Sequence, residues 1–379
     1  MKAHSTGTVT EPEVDDLVRR VRSQPWRRDA LVPLLREDHP LHQGSGTGTT
    51  ARVRAWVLAA FADVGLPDAA LPYVVEELQS GDEPILVAAA ARAACGQRPV
   101  DPILAGPLVA ALWNMAGRDD TVSLDTLWPS WPATAPTTPL IEVLASLHEI
   151  GPAAGLGGAL QDFRLARNDL LDPLVQAALD RTIAALAGSP CCSSVHNSAP
   201  VDSQDPSPLP VPDEVEVEDQ DGKRLILAEF LRRAPTVLAF FYTRCGNPRK
   251  CSLTITSLAV LGRELAARNR LGSVQIAAIT YDPGHDLPAR LRRYGRDRGL
   301  PFGPAVRMFR TVAGHELLRD HLALRVGYTS SVVNRHGIEL FLLDGAGRVA
   351  RTWARHRWEP TEVLPHALAV AERGIHPTI

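Results

Sequence analysis

An all-α half followed by a mixed α/β sandwich is the fold class that the 379-residue sequence predicts. Three observations carry it. Residues 1–187 are rich in Ala and Leu, with apolar side chains at helical spacing. A Pro- and Ser-rich stretch interrupts the chain at residues 188–212. Beyond it, residues 213–379 alternate short β-prone apolar runs with helical ones. The length is enough for two or three domains, each with a core of its own.

In the first part, helical spacing shows in Val53, Trp56, Val57 and Ala60, and again in Leu174, Val175, Ala178 and Leu179. Four segments look alike: Ala51 to Phe61, Glu83 to Ala93, Thr138 to Leu147 and Asp172 to Ile183. Each reads as an apolar helix, and the last three carry Pro near the start, where its missing N–H costs nothing. Their starts lie about 32, 55 and 34 residues apart, which resembles the irregular period of HEAT-type helix pairs. An unclassified helical bundle is the plain alternative. This half is expected to recruit a protein partner.

The stretch at 188–212 carries prolines at 190, 200, 206, 208, 210 and 212. It cannot hold a helix and has little to bury, so it reads as an extended interdomain linker. Within it, Cys191-Cys192-Ser-Ser-Val-His196 could capture a soft metal on a flexible chain, or be an exposed pair without a role.

In the second part, Val215-Glu-Val-Glu and Leu225-Ile-Leu flank Asp221-Gly222, a hairpin turn signal. Thr236 to Thr243 is a continuous apolar run that reads as a strand buried on both faces. Leu253 to Ala267 comes next as a helix, Val274 to Thr280 as a second buried strand, and Leu287 to Arg298 as another helix. Ile338 to Leu343, Asp344-Gly-Ala-Gly and Val349 to Trp353 make a terminal hairpin, and a last helix starts near Pro360. That order describes a thioredoxin-like α/β sandwich with a parallel pair at its centre.

The loop Cys245-Gly-Asn-Pro-Arg-Lys-Cys251 lies directly after the first buried strand and directly before its helix. Such a polar loop is a poor place to bury unrelated cysteines. Cys251 is expected at or just before the first helical turn, where unpaired N–H groups stabilise a thiolate and Arg244, Arg249 and Lys250 add positive charge. A thiolate is both a nucleophile and a soft metal ligand.

Three motifs in order resemble the SCO/SenC family of copper chaperones and thiol oxidoreductases, over about Val215 to Trp353. They are Phe241-Tyr-Thr-Arg-Cys245 leading into Cys251-Ser-Leu-Thr; Thr280-Tyr-Asp-Pro-Gly-His-Asp286-Leu-Pro288; and Asn334-Arg-His336 ahead of Phe341-Leu-Leu-Asp-Gly-Ala-Gly. The resemblance implies copper bound by Cys245, Cys251 and His336, with Cys245 and Cys251 also the residues of any thiol–disulfide chemistry. The chain departs from the family's usual spacing: the family usually places three residues between its cysteines, and this chain has five. The family's usual role is assembly of the copper centre of cytochrome oxidase.

Two thiolates and an imidazole suit Cu(I) in trigonal geometry and tolerate Cu(II) or Zn(II). His336 precedes an apolar strand and projects toward the cysteine loop if that strand neighbours the central one. Ordinary thioredoxins place a cis-proline opposite the dithiol, yet no proline occurs between Ala305 and Glu359, which argues against a general disulfide reductase. His285 is a second candidate near the site, with a turn-forming role as its alternative, and Cys95 among alanines reads as core.

A formal charge of −3 gives no general attraction to nucleic acid or anionic lipid. The first thirty residues lack a signal-peptide core, and no stretch approaches the roughly 18 apolar residues of a span, so a soluble cytoplasmic protein is expected. The glycine loops at 44–48 and 155–158 lack the Lys-Ser/Thr of a phosphate loop, and peptidase and esterase signatures are absent. The leading expectation is a metal-handling protein. Its rivals are a metal-free thiol redox enzyme or sensor using Cys245 and Cys251, and a helical-repeat interaction scaffold.

Overall fold

Ala and Leu at helical spacing produce helices throughout the first half of the chain. The computed structural model describes residues 11–97, 99–130, 133, 135–151, 156–167, 171–186, 207–329 and 332–375. The chain divides into two compact units, Met1–Val201 with Gly327–Arg335, and Asp202–Val326 with His336–Ile379. Cys191, Cys192 and His196 lie outside the described residues.

The first unit contains α1 (Glu11–Ser23), α2 (Thr47–Val64), α3 (Leu71–Ser80), α4 (Pro84–Ala94), α5 (Ala105–Met115), α6 (Pro139–Ile150), α7 (Gly157–Arg167) and α8 (Pro173–Leu186). A long 3-10 segment, Pro25–Leu35, stands between α1 and α2. Proline occupies the first turn of α3, α4 and α6, and Thr138 caps α6 by accepting the Ile141 N–H. Helices α2, α4, α6 and α8 pack in succession as one layer, and α3, α5 and α7 form a second. The four look-alike segments of the sequence are the four helices of the first layer. Its core is rich in alanine, with Ala88, Ala89, Ala90 and Ala91 of α4 all fully buried, so neighbouring helices approach closely.

Charge is buried in this unit too. Arg54 lies between Glu37 at 2.9 Å and Glu77 at 3.3 Å, and its guanidinium also donates to the Leu35 carbonyl. All three side chains are buried. Glu77 pairs in addition with Arg335, and Asn334 donates to the His42 and Ser45 carbonyls at 2.9 and 3.2 Å.

The C-terminal half is built on β1 (Glu216–Asp219), β2 (Arg224–Ile226), α9 (Leu227–Leu231), β3 (Thr236–Phe241), α10 (Leu253–Ala267), β4 (Gln275–Thr280), α11 (Pro288–Asp297), β5 (Val306–Ala313), α12 (His315–His321), β6 (Val326–Tyr328), β7 (Val333–His336), β8 (Glu339–Leu343), β9 (Val349–Ala354) and α13 (Pro360–Ile375). The main sheet runs β2-β1-β5-β4-β3-β8-β9, with β6 and β7 a separate pair whose residues fall mostly in the first unit. The central strands β3, β4 and β5 are parallel, and β8 joins β3 antiparallel. Every residue of β3 and β4 is buried, as a strand covered on both faces requires. Val237, Ala239 and Phe241 face a cluster that includes Ile255, Leu258, Val363 and Ala367, whereas Phe240 stacks on Tyr281 and meets Phe341 edge-on.

The expected thioredoxin-like sandwich is therefore present, with α9, β5, α12 and the β6–β7 pair added to the elements read from the sequence, Leu227 opening α9 and not continuing the strand. Strand β5 contains Arg307 and Arg310, which break the apolar pattern. Both are neutralised across the ladder, by Asp219 at 3.0 Å and by Glu218 at 2.5 Å on β1.

Candidate metal centre

Strand β3 ends at Phe241, and its chain emerges at the carboxyl edge of the parallel strands, where open α/β sheets hold their ligands. The next loop is fixed from beneath by Asp286. This fully buried carboxylate accepts the Thr243 N–H at 3.0 Å, the Thr243 hydroxyl, and the Thr280 hydroxyl at 2.5 Å. Asp282 anchors the next residue through an ion pair with Arg244 at 2.5 Å. Cys245 comes immediately after, its N–H on the Tyr242 carbonyl at 3.3 Å.

Between the cysteines the chain enters a π-helical turn, Pro248–Ser252. A π turn holds one residue more than an α turn, and such turns recur at functional sites. Asn247 caps it by accepting the Arg249 N–H at 2.9 Å. The turn carries Cys251 inward to 1 % exposure, where its sulfur receives the Tyr242 N–H at 3.4 Å.

His336 reaches the loop because β8 lies beside β3, which puts the residues just ahead of Glu339 level with the end of β3. The Gly337 N–H bonds the Arg325 carbonyl at 2.8 Å and holds the backbone there. Tyr242 meets the imidazole edge-on, and Tyr281 leans over it, its hydroxyl donating to Glu339 at 2.6 Å. The ring Nδ1 sits 2.8 Å from the Gly337 carbonyl, an acceptor, so it carries the proton. With Nδ1 so engaged, Nε2 is the ring nitrogen that faces the cysteines, 3.4 Å from Cys245 Sγ and 3.6 Å from Cys251 Sγ. It donates to a Cys245 thiolate in the metal-free site and offers its lone pair to a metal ion that replaces that proton.

The three donor atoms lie within 4.8 Å of one another, and they are the one such group among the described residues. Their chemistry fits a soft or borderline metal ion: two sulfurs and a nitrogen, with no carboxylate in the set. Cys245 is half-buried while Cys251 is closed off, so solvent meets the site at Cys245.

The electrostatics correct one expectation. Cys251, placed by the sequence where a helix start stabilises a thiolate, has its thiol pushed well above the ordinary value, by burial first and then by the hydrogen bond to, and negative charge of, Cys245. Cys245 is the activated sulfur. Its thiol is drawn down to about 3 by the hydrogen bond from Cys251 and by His336, against the opposing effect of burial. The reason is that α10 begins only at Leu253, after the π turn, so Cys251 is walled into the core instead of lying at an open helix end. Arg244 contributes little to the cysteines because it is committed to Asp282.

Of the other residues singled out, His285 lies in the turn after β4, its N–H on the Asp282 carbonyl and its own carbonyl taken by Arg290. Cys95 caps the end of α4, half-buried, with Sγ 3.2 Å from Ser146 Oγ. Sequence reasoning assigns no role to Asp286 or Tyr281, although both stand in the second of the three motifs.

Residues 208–370 match the SCO1/SenC family model, which bears out the resemblance read from those motifs over the C-terminal part of the chain. The similar solved structures include a SCO1/SenC family lipoprotein of Bacillus anthracis, 19% identical, covering 44% of this chain and 97% of that one at a TM-score of 0.38. Bradyrhizobium japonicum ScoI with copper bound is 20% identical, covering 41% and 97% at 0.34. Yeast Sco1 with copper bound is 18% identical, covering 43% and 89% at 0.35. No curated protein matches the chain.

Proposed function

We propose that the C-terminal domain is a copper-binding protein of the SCO/SenC type, with Cys245, Cys251 and His336 as the ligands. The observation that carries this is the convergence of the two sulfurs with an imidazole Nε2 freed by the Gly337 carbonyl. The family match over residues 208–370 supports it. Copper held here would be cargo to be handed on, and the half-buried Cys245 is the ligand through which an acceptor would reach it. The chain's own residues prepare the exchange: Asp286 and Asp282 fix the loop, Gly337 sets the imidazole tautomer, and Tyr242 and Tyr281 wall the ring.

The helical half is proposed as the surface that recruits a protein partner. Its two-layer packing of alternate helices supports a HEAT-like repeat reading. A cytoplasmic location belongs to the same proposal and is read by fractionation.

The test is an anaerobic Cu(I) titration against a competing chelator, with Cys245→Ser, Cys251→Ser and His336→Ala beside the parent. One tight equivalent, lost in each variant, is the expected result. Absence of tight binding, or binding indifferent to all three substitutions, overturns it.

A second reading has its own support in the pairing of a low-pKa Cys245 with a protonated neighbour. The Cys245 thiolate would attack a substrate disulfide, expelling one thiolate, and Cys251 would then displace the other, leaving a Cys245–Cys251 disulfide and a substrate reduced by two electrons. A reversible disulfide in metal-free protein, with no tight copper site, would favour it.

A further inference from the structure

We propose that Lys250 is a counter-cation built into the Cys245–Cys251–His336 site, and that it biases the site toward a monovalent soft ion over a divalent one. The inference rests on the metal-binding reading above and concerns which charge of ion the site prefers.

Lys250 belongs to the loop between the cysteines, yet it does not point to solvent. It is 5 % exposed, and its Nζ donates to the main-chain carbonyl of His336 at 3.1 Å. One residue thus precedes Cys251 in the chain and holds the backbone of His336 with its ammonium group. Placing a lysine ammonium in a buried position costs free energy that only nearby negative charge or good hydrogen bonds offset. Lys250 stands next to Cys251 in the chain, and it is among the groups that stabilise negative charge on that sulfur. The π turn Pro248–Ser252 makes this possible, because it contains Lys250 and Cys251 and buries both.

The consequence for metal choice comes from Coulomb's law. A fixed positive charge opposes a divalent ion twice as strongly as a monovalent one at the same place. Both kinds of ion displace the same thiol protons from the same sulfurs, so the proton terms cancel when the two affinities are divided. Two thiolates and a neutral imidazole carry −2; with Lys250 the site is neutral around a monovalent ion and positive around a divalent one. Arg244 is paired with Asp282, and the Asp286 carboxylate, held by Thr243 and Thr280, keeps its charge in the parent and in the variants alike, so a change in the affinity ratio on replacing Lys250 reports Lys250.

The experiment titrates the full chain anaerobically with Cu(I) and, separately, with Zn(II), each against a chelator, for the parent, Lys250→Gln and Lys250→Arg. Glutamine keeps a donor and removes the charge; arginine keeps the charge. The Zn(II)-to-Cu(I) affinity ratio should rise about tenfold or more in the glutamine variant and stay within about twofold of the parent in the arginine variant. An unchanged ratio in Lys250→Gln, with Cu(I) still bound tightly, overturns the inference and leaves the copper site standing. Equal shifts in both variants also overturn it, since packing and not charge would then be responsible. A parent that binds no Cu(I) defeats the copper reading, and this inference with it.

Discussion

The imidazole Nε2 of His336 stands 3.4 Å from Cys245 Sγ, while its Nδ1 is committed to the Gly337 carbonyl at 2.8 Å. The ring therefore has one assigned face for the cysteines, and the sulfur that feels it first is the half-buried one. A thiol whose pKa is lowered is charged at every pH above its new value. Cys245 is held as thiolate from the ordinary range near 9.0 down to about 3, and Cys251 stays protonated across that window. Iodoacetamide at about pH 6 should alkylate Cys245 at least about tenfold faster than Cys251, as read by peptide mapping. His336→Ala should slow labelling of Cys245 at that pH. Equal labelling of the two cysteines would contradict the assignment.

Asp286 is the residue on which the cysteine loop rests. Its carboxylate satisfies one backbone N–H and two hydroxyls in a fully buried place. Asp286→Ala leaves those donors without their acceptor, at a cost of about 2–4 kcal/mol for the C-terminal domain, measured by urea unfolding. Cu(I) affinity should fall as well, because Thr243 and Arg244 lead directly into Cys245. Asp286→Asn, which keeps an acceptor oxygen, should recover part of both losses.

How much of the fold and the site is legible in the sequence differs between the two halves for physical reasons. Strands β3 and β4 announce themselves as unbroken apolar runs because both faces are covered, and the cysteine loop stands out because polar residues interrupt that pattern at a strand end. Strand β5 is hidden because its two arginines pair with acids on β1, a contact no local window contains. In the helical half, α2, α4, α6 and α8 share a visible pattern, whereas the helices of the other layer do not. The protonation order of the cysteines escapes the sequence for a similar reason. The loop shows a helix start, but burial by the π turn decides which sulfur keeps its proton.

Arg54 is the hub of the helical unit's buried charge, placed between Glu37 and Glu77 with none of its side chain exposed. Removing it should cost more than removing an apolar residue of similar size, because two buried carboxylates lose a charge partner, Glu77 keeping its pair with Arg335. Arg54→Met is expected to destabilise this unit by about 3–5 kcal/mol in chemical denaturation. Adding Glu37→Gln to the same chain should return part of the loss, since the pair is coupled. Additive losses in the double variant would show that Arg54 acts through packing on Tyr73, over which its guanidinium lies, and not through charge.

His42 ties acid stability to the same unit. Its imidazole is 1 % exposed, and Nε2 lies 2.8 Å from the Leu34 carbonyl, so the neutral ring donates there. Burial, assisted by the positive charge of Arg54, lowers its pKa from 6.5 to about 4. A group whose folded pKa is depressed adds stability that is complete above the unfolded value and is lost as pH falls toward the folded one. The helical unit should therefore lose about 3 kcal/mol between about pH 7 and pH 4 on account of His42. His39, also lowered by burial, works in the same direction, so the contribution of His42 is isolated by difference. In His42→Gln the amide keeps a donor to Leu34 without a titrating ring. Its urea midpoint at about pH 4.5, relative to pH 7, should fall distinctly less than that of the parent, and parallel losses in the two proteins would assign the acid sensitivity elsewhere.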